Sequence, residues 1–523
     1  MNMKGFLIGS LVVGAGLAAT RFLFAKTASP KPASSSTAFD ADSCDPASYD
    51  EVDAYVAGQM RRLKIPGVSL AIVEGDEIVH LRGFGRARPG GEAPIPQTPF
   101  FIGSLTKSFT ALAVMQLVEA GKIDLDAPVQ RYLSWFRVAD PQASAEMTVR
   151  HLLNQTSGLP TSSGEIPLAD FDDSPGAAEP QARALSTLVL TRPVGSAFEY
   201  SNSNYNLLGL IIESATGESY ANHIQKQIFT PLDMSHSYTS PGMAKQNDLA
   251  VANLAVGHQY WFAAPFAVPD MPIPHGSLAS GQLISSSEDM AHYMIALLNG
   301  GRYGNVQVLS GGGIDELHHG VAELTAMGQS LGRYGMGWFV DKIGQTELVW
   351  HSGTNPDFAA YMALLPEQKK GVVLLFNASH HWMNPVLSDL GGGVTARLAG
   401  EQPSPFPFVG LIPSVLRGLL LIPILQVAGV VSTLRLIRRW RLEPERRPSG
   451  GRLWGGHVLL PLIPNLLVAL TLIPMLGKRR GYLAFYMPDY AWIAMVCGSS
   501  ALVWALLRTG LVLRTLSMAS SDR

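Results

Sequence analysis

Ser104 and Lys107 stand three residues apart in "FIGSLTKSFTALAVMQLVEAG", at the head of an apolar run with helical period that closes on Gly121. On a helix, positions i and i+3 share a face, so the Lys107 amine can reach the Ser104 oxygen. A serine hydroxyl is a poor nucleophile until a base takes its proton. A buried lysine, its pKa depressed, can be that base near neutrality. The helix head adds backbone N–H groups and a positive field for a developing oxyanion. Taken alone, the pair reads more readily as an N-cap serine followed by a solvated lysine. Two further stretches bear on it. "FEYSNSNYNLLG" sets Tyr200 and Asn202 in a polar turn before a helix predicted from about Asn204, where a capping asparagine is the plain alternative. "LVWHSGTNPDF" sets His351, Gly353 and Thr354 at the end of an apolar strand. A glycine there lets a substrate backbone approach the strand, although a lone histidine at a strand end is commonly structural.

The elements that must hold these residues follow from periodicity. An amphipathic helix is expected at 49–63, followed by a hairpin through "GVSLAIVEGDEIVHLRGFG" turning at Gly75-Asp76. Residues 148–300 read as mostly helical, with long connections at 157–180 and 240–285. Four short β-like runs follow between 335 and 377: "YGMGWFVD", "ELVWH", "FAAYMALLP" and "GVVLLFN". A helix at about 380–399 closes the set. Strands at both ends of one domain predict a single sheet built from both, with a helical lobe inserted between.

The ordered set S-x-x-K, Y-x-N and H-x-G resembles the penicillin-recognising serine hydrolases, in their class C β-lactamase-like branch. "VRHLLNQTSGLP", "SGQLISSSEDMAHYMIALLNGG" and "YGMGWF" are similar to the same branch, and the resemblance spans roughly residues 50–400. It implies an α+β fold, an antiparallel sheet flanked by helices plus an all-helical lobe, with the site between. It implies Ser104 as the acylated nucleophile and Lys107 as its base, with Tyr200 assisting proton transfer. Asn202 would bond the substrate's acyl side, and the N–H groups of Ser104 and Thr354, beside Gly353, would form an oxyanion hole. His351 stands where many relatives carry lysine, and it is mostly neutral at pH 7. That weakens attraction for a carboxylate and favours an esterase or peptidase over an efficient β-lactamase. Asp357 replaces a common glycine, which leaves the shape of that turn open. No metal and no cofactor are implied.

Length and charge frame this domain. A chain of 523 residues exceeds what one core usually holds. Net charge is −2, but residues 401–523 carry 14 Lys+Arg against 5 Asp+Glu. The remaining body is acidic, which argues against nucleic acid as a partner. Apolar runs near 409–434, 455–476 and 490–507 read as three membrane spans. Seven arginines in 435–452, and three more from 508 onward, place that loop and the tail inside and the body outside. No span contains Asp or Glu, so a plain anchor is favoured over an ion pathway. Residues 1–26 read as a signal peptide or N-terminal anchor, and 27–48 as a linker. The hydrolase domain is then 49–400 and the membrane domain 401–523. Cys44 and Cys497 are not expected to pair.

The expected protein is a multi-pass, membrane-tethered extracytoplasmic hydrolase acting on a small-molecule or peptide substrate, an ester or amide in peptidoglycan-derived material for instance. The rival is a penicillin-binding receptor, acylated by a β-lactam with little turnover. Only short segments lie on the cytoplasmic side to carry a signal, which disfavours it. Oligomeric state is not legible.

Overall fold

The computed structural model describes residues 49–239 except 171, 173 and 175; 253–402 except 270, 273, 327 and 328; 409–446; 453–475; and 480–517. The expected leader, the linker and Cys44 lie outside the described residues, as does part of the 240–285 connection. The chain divides into two compact units. One comprises Met1–Gln259 with Pro265–Gly410, and the other Tyr260–Ala264 with Leu411–Arg523.

The first unit begins with helix α1 (Asp50–Leu63), whose apolar stripe of Val52, Val56, Met60 and Leu63 is buried. Strands β1 (Gly67–Glu74) and β2 (Glu77–Gly85) form the expected hairpin. After a short turn comes α2 (Thr106–Glu119), then the helical stretch that contains α3 (Asn202–Thr216) and α4 (Ser287–Leu298). Six strands complete the sheet: β3 (Ala322–Ala326), β4 (Gln329–Tyr334), β5 (Phe339–Ile343), β6 (Thr346–Thr354), β7 (Ala359–Leu365) and β8 (Lys370–Phe376). Helix α5 (Asn384–Leu398) follows. Strand order is β2-β1-β8-β7-β6-β5-β4-β3, antiparallel at every described pairing. β1 therefore pairs with β8 across almost the whole domain, with Leu70 opposite Leu374.

Which strands are central follows from their composition. β7 is buried from end to end, and β1 and β8 at all but one terminal residue, as near-continuous apolar runs require. Ala71, Val73, Met362, Leu364, Val373 and Leu375 share one core with α2 and α4. The residues between them face the other way, where Tyr361 packs on Gly391 of α5. β2 is an edge strand and is largely part-exposed. β3 and β4 extend the sheet beyond the four runs read from the sequence. The "YGMGWFVD" run is a turn for half its length, with β5 starting only at Phe339.

Between sheet and helical lobe lies α2. Nearly every side chain on it is buried, on all faces, so it has no solvent stripe. Phe109 stacks on Tyr293 at 4.0 Å and meets Phe229 edge-on at 5.7 Å. Thr110 Oγ1 donates to the Ala279 carbonyl at 2.7 Å, locking α2 to the 277–281 turn. This rigid post carries Lys107.

The second unit contains α6 (Leu421–Leu442), α7 (Leu460–Met475) and α8 (Pro488–Ser517), with α6 and α7 both packed on α8. Two stretches, Ile412–Leu442 and Pro488–Thr515, are long and apolar enough to cross a bilayer, and the apolar helix Trp454–Leu470 is shorter. Three full spans are therefore more than the described helices provide by length. Gln426 of α6 donates to the Cys497 carbonyl of α8 at 2.8 Å, tying these two helices.

Because α2 is buried on every side, truncating its largest core ring is expected to be severe. Phe109→Ala should destabilise the first unit by roughly 3–5 kcal/mol. Guanidinium unfolding followed by tryptophan fluorescence checks this, and a loss under about 1 kcal/mol would contradict the packing described.

Candidate active site

Ser104 sits in a single 3-10 turn, Gly103–Leu105, that runs directly into α2 at Thr106. The i, i+3 spacing holds across that junction: Lys107 Nζ lies 3.0 Å from Ser104 Oγ. Two other oxygens complete the ammonium's surroundings, Asn202 Oδ1 at 2.7 Å and the Ser280 carbonyl at 2.6 Å. Lys107 is fully buried, and burial holds its pKa well below the usual lysine value. Among the described residues it makes no ion pair. The rings of Tyr200 and Tyr205 lie 4.9 and 5.6 Å from Nζ.

The three contacts have a definite reading for the neutral amine. It has two N–H groups and one lone pair. Asn202 Oδ1 and the Ser280 carbonyl cannot donate, so they take the two N–H groups. The lone pair is left for the Ser104 hydroxyl, which then donates. A buried lysine without a counter-charge is thus aligned to receive the serine's proton.

Tyr200 and Asn202 come from the entry to α3. The helix begins at Asn202, two residues earlier than expected, with Ser201 at the cap position. Asn202, expected to face the substrate's acyl side, here spends its carbonyl oxygen on Lys107. Burial pushes the Tyr200 phenol up, with Ser104 pulling the other way, so the phenol stays protonated near neutrality. The two neighbours of Ser104 therefore differ: burial makes the lysine a better resting base than the tyrosine.

The third stretch arrives on β6. Gly353 and Gly103 meet back to back. A methyl on Gly353 would strike the Ile102 carbonyl oxygen and lie 3.0 Å from Ser104 N. One on Gly103, whose φ is +55°, would strike the Thr354 backbone nitrogen. The backbone nitrogens of Ser104 and Thr354 are thereby brought near each other.

His351 is 2% exposed and packs against Phe339 at 4.9 Å, with Tyr334 and Tyr200 beyond. Its Nδ1 faces the Ser352 carbonyl at 2.6 Å, which fixes the proton there, and Nε2 lies 3.5 Å from the Tyr334 hydroxyl. Burial is the main cause that lowers its pKa to about 3. It is neutral at physiological pH and supplies no positive charge.

The Asp357 turn is well formed. Asn355 N donates to the Phe358 carbonyl at 2.8 Å, and Asn355 Nδ2 ties the turn to Gly281 and Gln282. The Asp357 side chain fills the space above Gly257, and burial raises its pKa to about 7. Sequence reasoning gave no role to Ser280, Gln155 or Tyr334, although all three lie in stretches noted above. Ser280 contributes a backbone carbonyl, which carries no side-chain signal.

The beta-lactamase family model matches residues 52–390, and the chain belongs to that family. Protein flp of Staphylococcus aureus (strain MRSA252) is 28% identical over 352 residues, 66% of this chain and 66% of its own length. The chain thus spans slightly under two thirds of that relative. Among solved structures, the octameric penicillin-binding protein homologue from Pyrococcus abyssi is 29% identical. It has a TM-score of 0.60, with 69% of this chain and 80% of that one covered. The D-amino acid amidase from Ochrobactrum anthropi SV3 shares the fold at 23% identity and a TM-score of 0.57, covering 67% and 99%. The fold is α+β and is built on a large antiparallel sheet, as the family match implies.

Two outcomes are expected here. Gly103→Ala should cut serine labelling by a fluorophosphonate at least about 100-fold, because it drives β6 away from the nucleophile's turn. For His351, the folded pKa lies below the unfolded value near 6.5, so only the unfolded chain binds the proton between them. Its stabilising share is complete above pH 6.5 and falls away towards pH 3, by up to roughly 1.4 kcal/mol per pH unit. Melting curves from pH 7 to 4 should show wild type losing more stability than His351→Gln, and parallel losses would contradict the buried neutral imidazole.

Proposed function

We propose that the protein is a membrane-tethered serine hydrolase that cleaves an ester or amide through an acyl-enzyme on Ser104. The observation that carries this is the buried Lys107 amine, bonded by two carbonyl oxygens and directed at Ser104 Oγ. Lys107 takes the hydroxyl proton as Oγ attacks the substrate carbonyl. The N–H groups of Ser104 and Thr354 hold the oxyanion. The proton then passes by way of Tyr200 to the leaving group, the carbon–leaving-group bond breaks, and water later reverses the sequence.

The neutral His351 and its aromatic surroundings favour a substrate without a carboxylate at that end of the cleft. An ester, or an amide of a small or peptide-like acid from cell-wall material, fits better than a penicillin. The names of two relatives, a D-amino acid amidase and an unguisins hydrolase from Aspergillus campestris, are those of hydrolases, the first of an amide.

Tethering rests on the second unit. Large apolar side chains stand outward there, with Leu425, Leu460 and Leu506 each about two-thirds exposed. Such faces suit lipid, and the arginine-rich 435–452 segment suits the cytoplasmic side. The hydrolase domain at 49–400 then lies outside, with a membrane domain at 401–523.

The deciding experiment incubates the detergent-solubilised chain with a fluorescent penicillin, a peptide ending in D-Ala-D-Ala and p-nitrophenyl acetate. Ester turnover is expected, and Ser104→Ala and Lys107→Met should each lower it at least about 10³-fold. Turnover that survives Ser104→Ala would sink the mechanism. A stable penicillin adduct without turnover of any substrate would instead indicate a receptor.

A further inference from the structure

Gln155 is fully buried and sits in the left-handed region at φ +58°, where a residue other than glycine is strained. Its main-chain carbonyl accepts the Glu199 N–H at 2.8 Å. Its side-chain Oε1 accepts the Ser201 N–H at 2.9 Å and also the Asn204 side-chain amide. The two peptide N–H groups on either side of Tyr200 are thus held by one residue, 45 positions away in the chain. Asn204 is held in turn by Ser157, whose hydroxyl donates to Asn204 Oδ1 at 2.6 Å. The Gln155 side chain also lies against the Tyr334 phenol, and that phenol stands 3.5 Å from His351 Nε2.

We propose that Gln155 is a positioning residue that clamps Tyr200 from both flanks and fixes it over Ser104 and Lys107. This rests on the function proposed above, in which Tyr200 passes the proton. The strained backbone is what the clamp demands. With φ at +58° the Gln155 carbonyl and side chain both reach the 199–201 segment, so one residue supplies acceptors to two N–H groups two positions apart. An error near 1 Å in such a group costs on the order of 100-fold in rate.

The test uses the full chain and p-nitrophenyl acetate. Gln155→Met keeps the length of the side chain and removes its acceptor oxygen, leaving the main-chain carbonyl in place. It should lower kcat on the order of 100-fold with KM within about threefold. Gln155→Gly, which relaxes the left-handed backbone and keeps its carbonyl, should show the same loss if the Met variant does not fold. Each change is then combined with Tyr200→Phe. If Gln155 works through Tyr200, it adds less than about threefold to that variant's loss. Losses that multiply undiminished, or full activity in both Gln155 variants, would overturn the clamp while leaving the Ser104 chemistry intact. Full activity of Tyr200→Phe would overturn the clamp and the relay together, whereas turnover surviving Ser104→Ala strikes the proposed function itself.

Discussion

An amine with no counter-charge, sealed inside the protein, governs this architecture. Leaving an ammonium in such a place costs several kcal/mol, so Lys107 gives up its proton instead. Everything around it is consistent with that choice. Its partners are two uncharged carbonyl oxygens and a hydroxyl, the nearest rings are tyrosines, and the imidazole on β6 is neutral too. A carboxylate at any of these positions would restore the charge on Lys107.

The post and its surroundings divide the work. α2 is immobilised by packing on all sides and fixes where the amine starts. The pieces that meet it come from three distant parts of the chain: the entry to α3, the 280 turn and the end of β6. Each is held by hydrogen bonds to main-chain groups, Gln155 serving the first and Asn355 linking the second and third. Site geometry is therefore stored in loops whose own backbone is satisfied, which is how irregular segments reach the precision catalysis asks for.

How much of this could be read beforehand varied with the kind of signal. The hairpin of β1 and β2 and the strands β7 and β8 announce themselves as apolar runs bounded by turns. The helix after Ser104 was legible as an apolar run closed by Gly121, but not its burial on every face. β3 and β4 did not show, because "AELTA" and "QSLGRY" are polar and short enough to pass for loop. The three motifs carried residue types and order, but not the roles of backbone atoms. The Ser280 carbonyl and the Gln155 acceptors were silent for that reason. Asn202 was legible as a site residue, yet its contact with Lys107 depends on how α3 is aimed, which no local pattern encodes.

The pairing of β1 with β8 has a consequence for how the protein is made. A ribosome delivers β1 early and must extend the chain by some three hundred residues before its partner exists. Until then the first hairpin has one open edge and no sheet to join, a long-range closure of the kind that folds slowly. The Ser104 turn waits as well, since the strand that ends in Gly353 and Thr354 emerges some 250 residues after it. A truncated or stalled product would carry Ser104 and Lys107 without the strand that completes their pocket. The pocket around Ser104 is therefore incomplete until the chain has grown past residue 354.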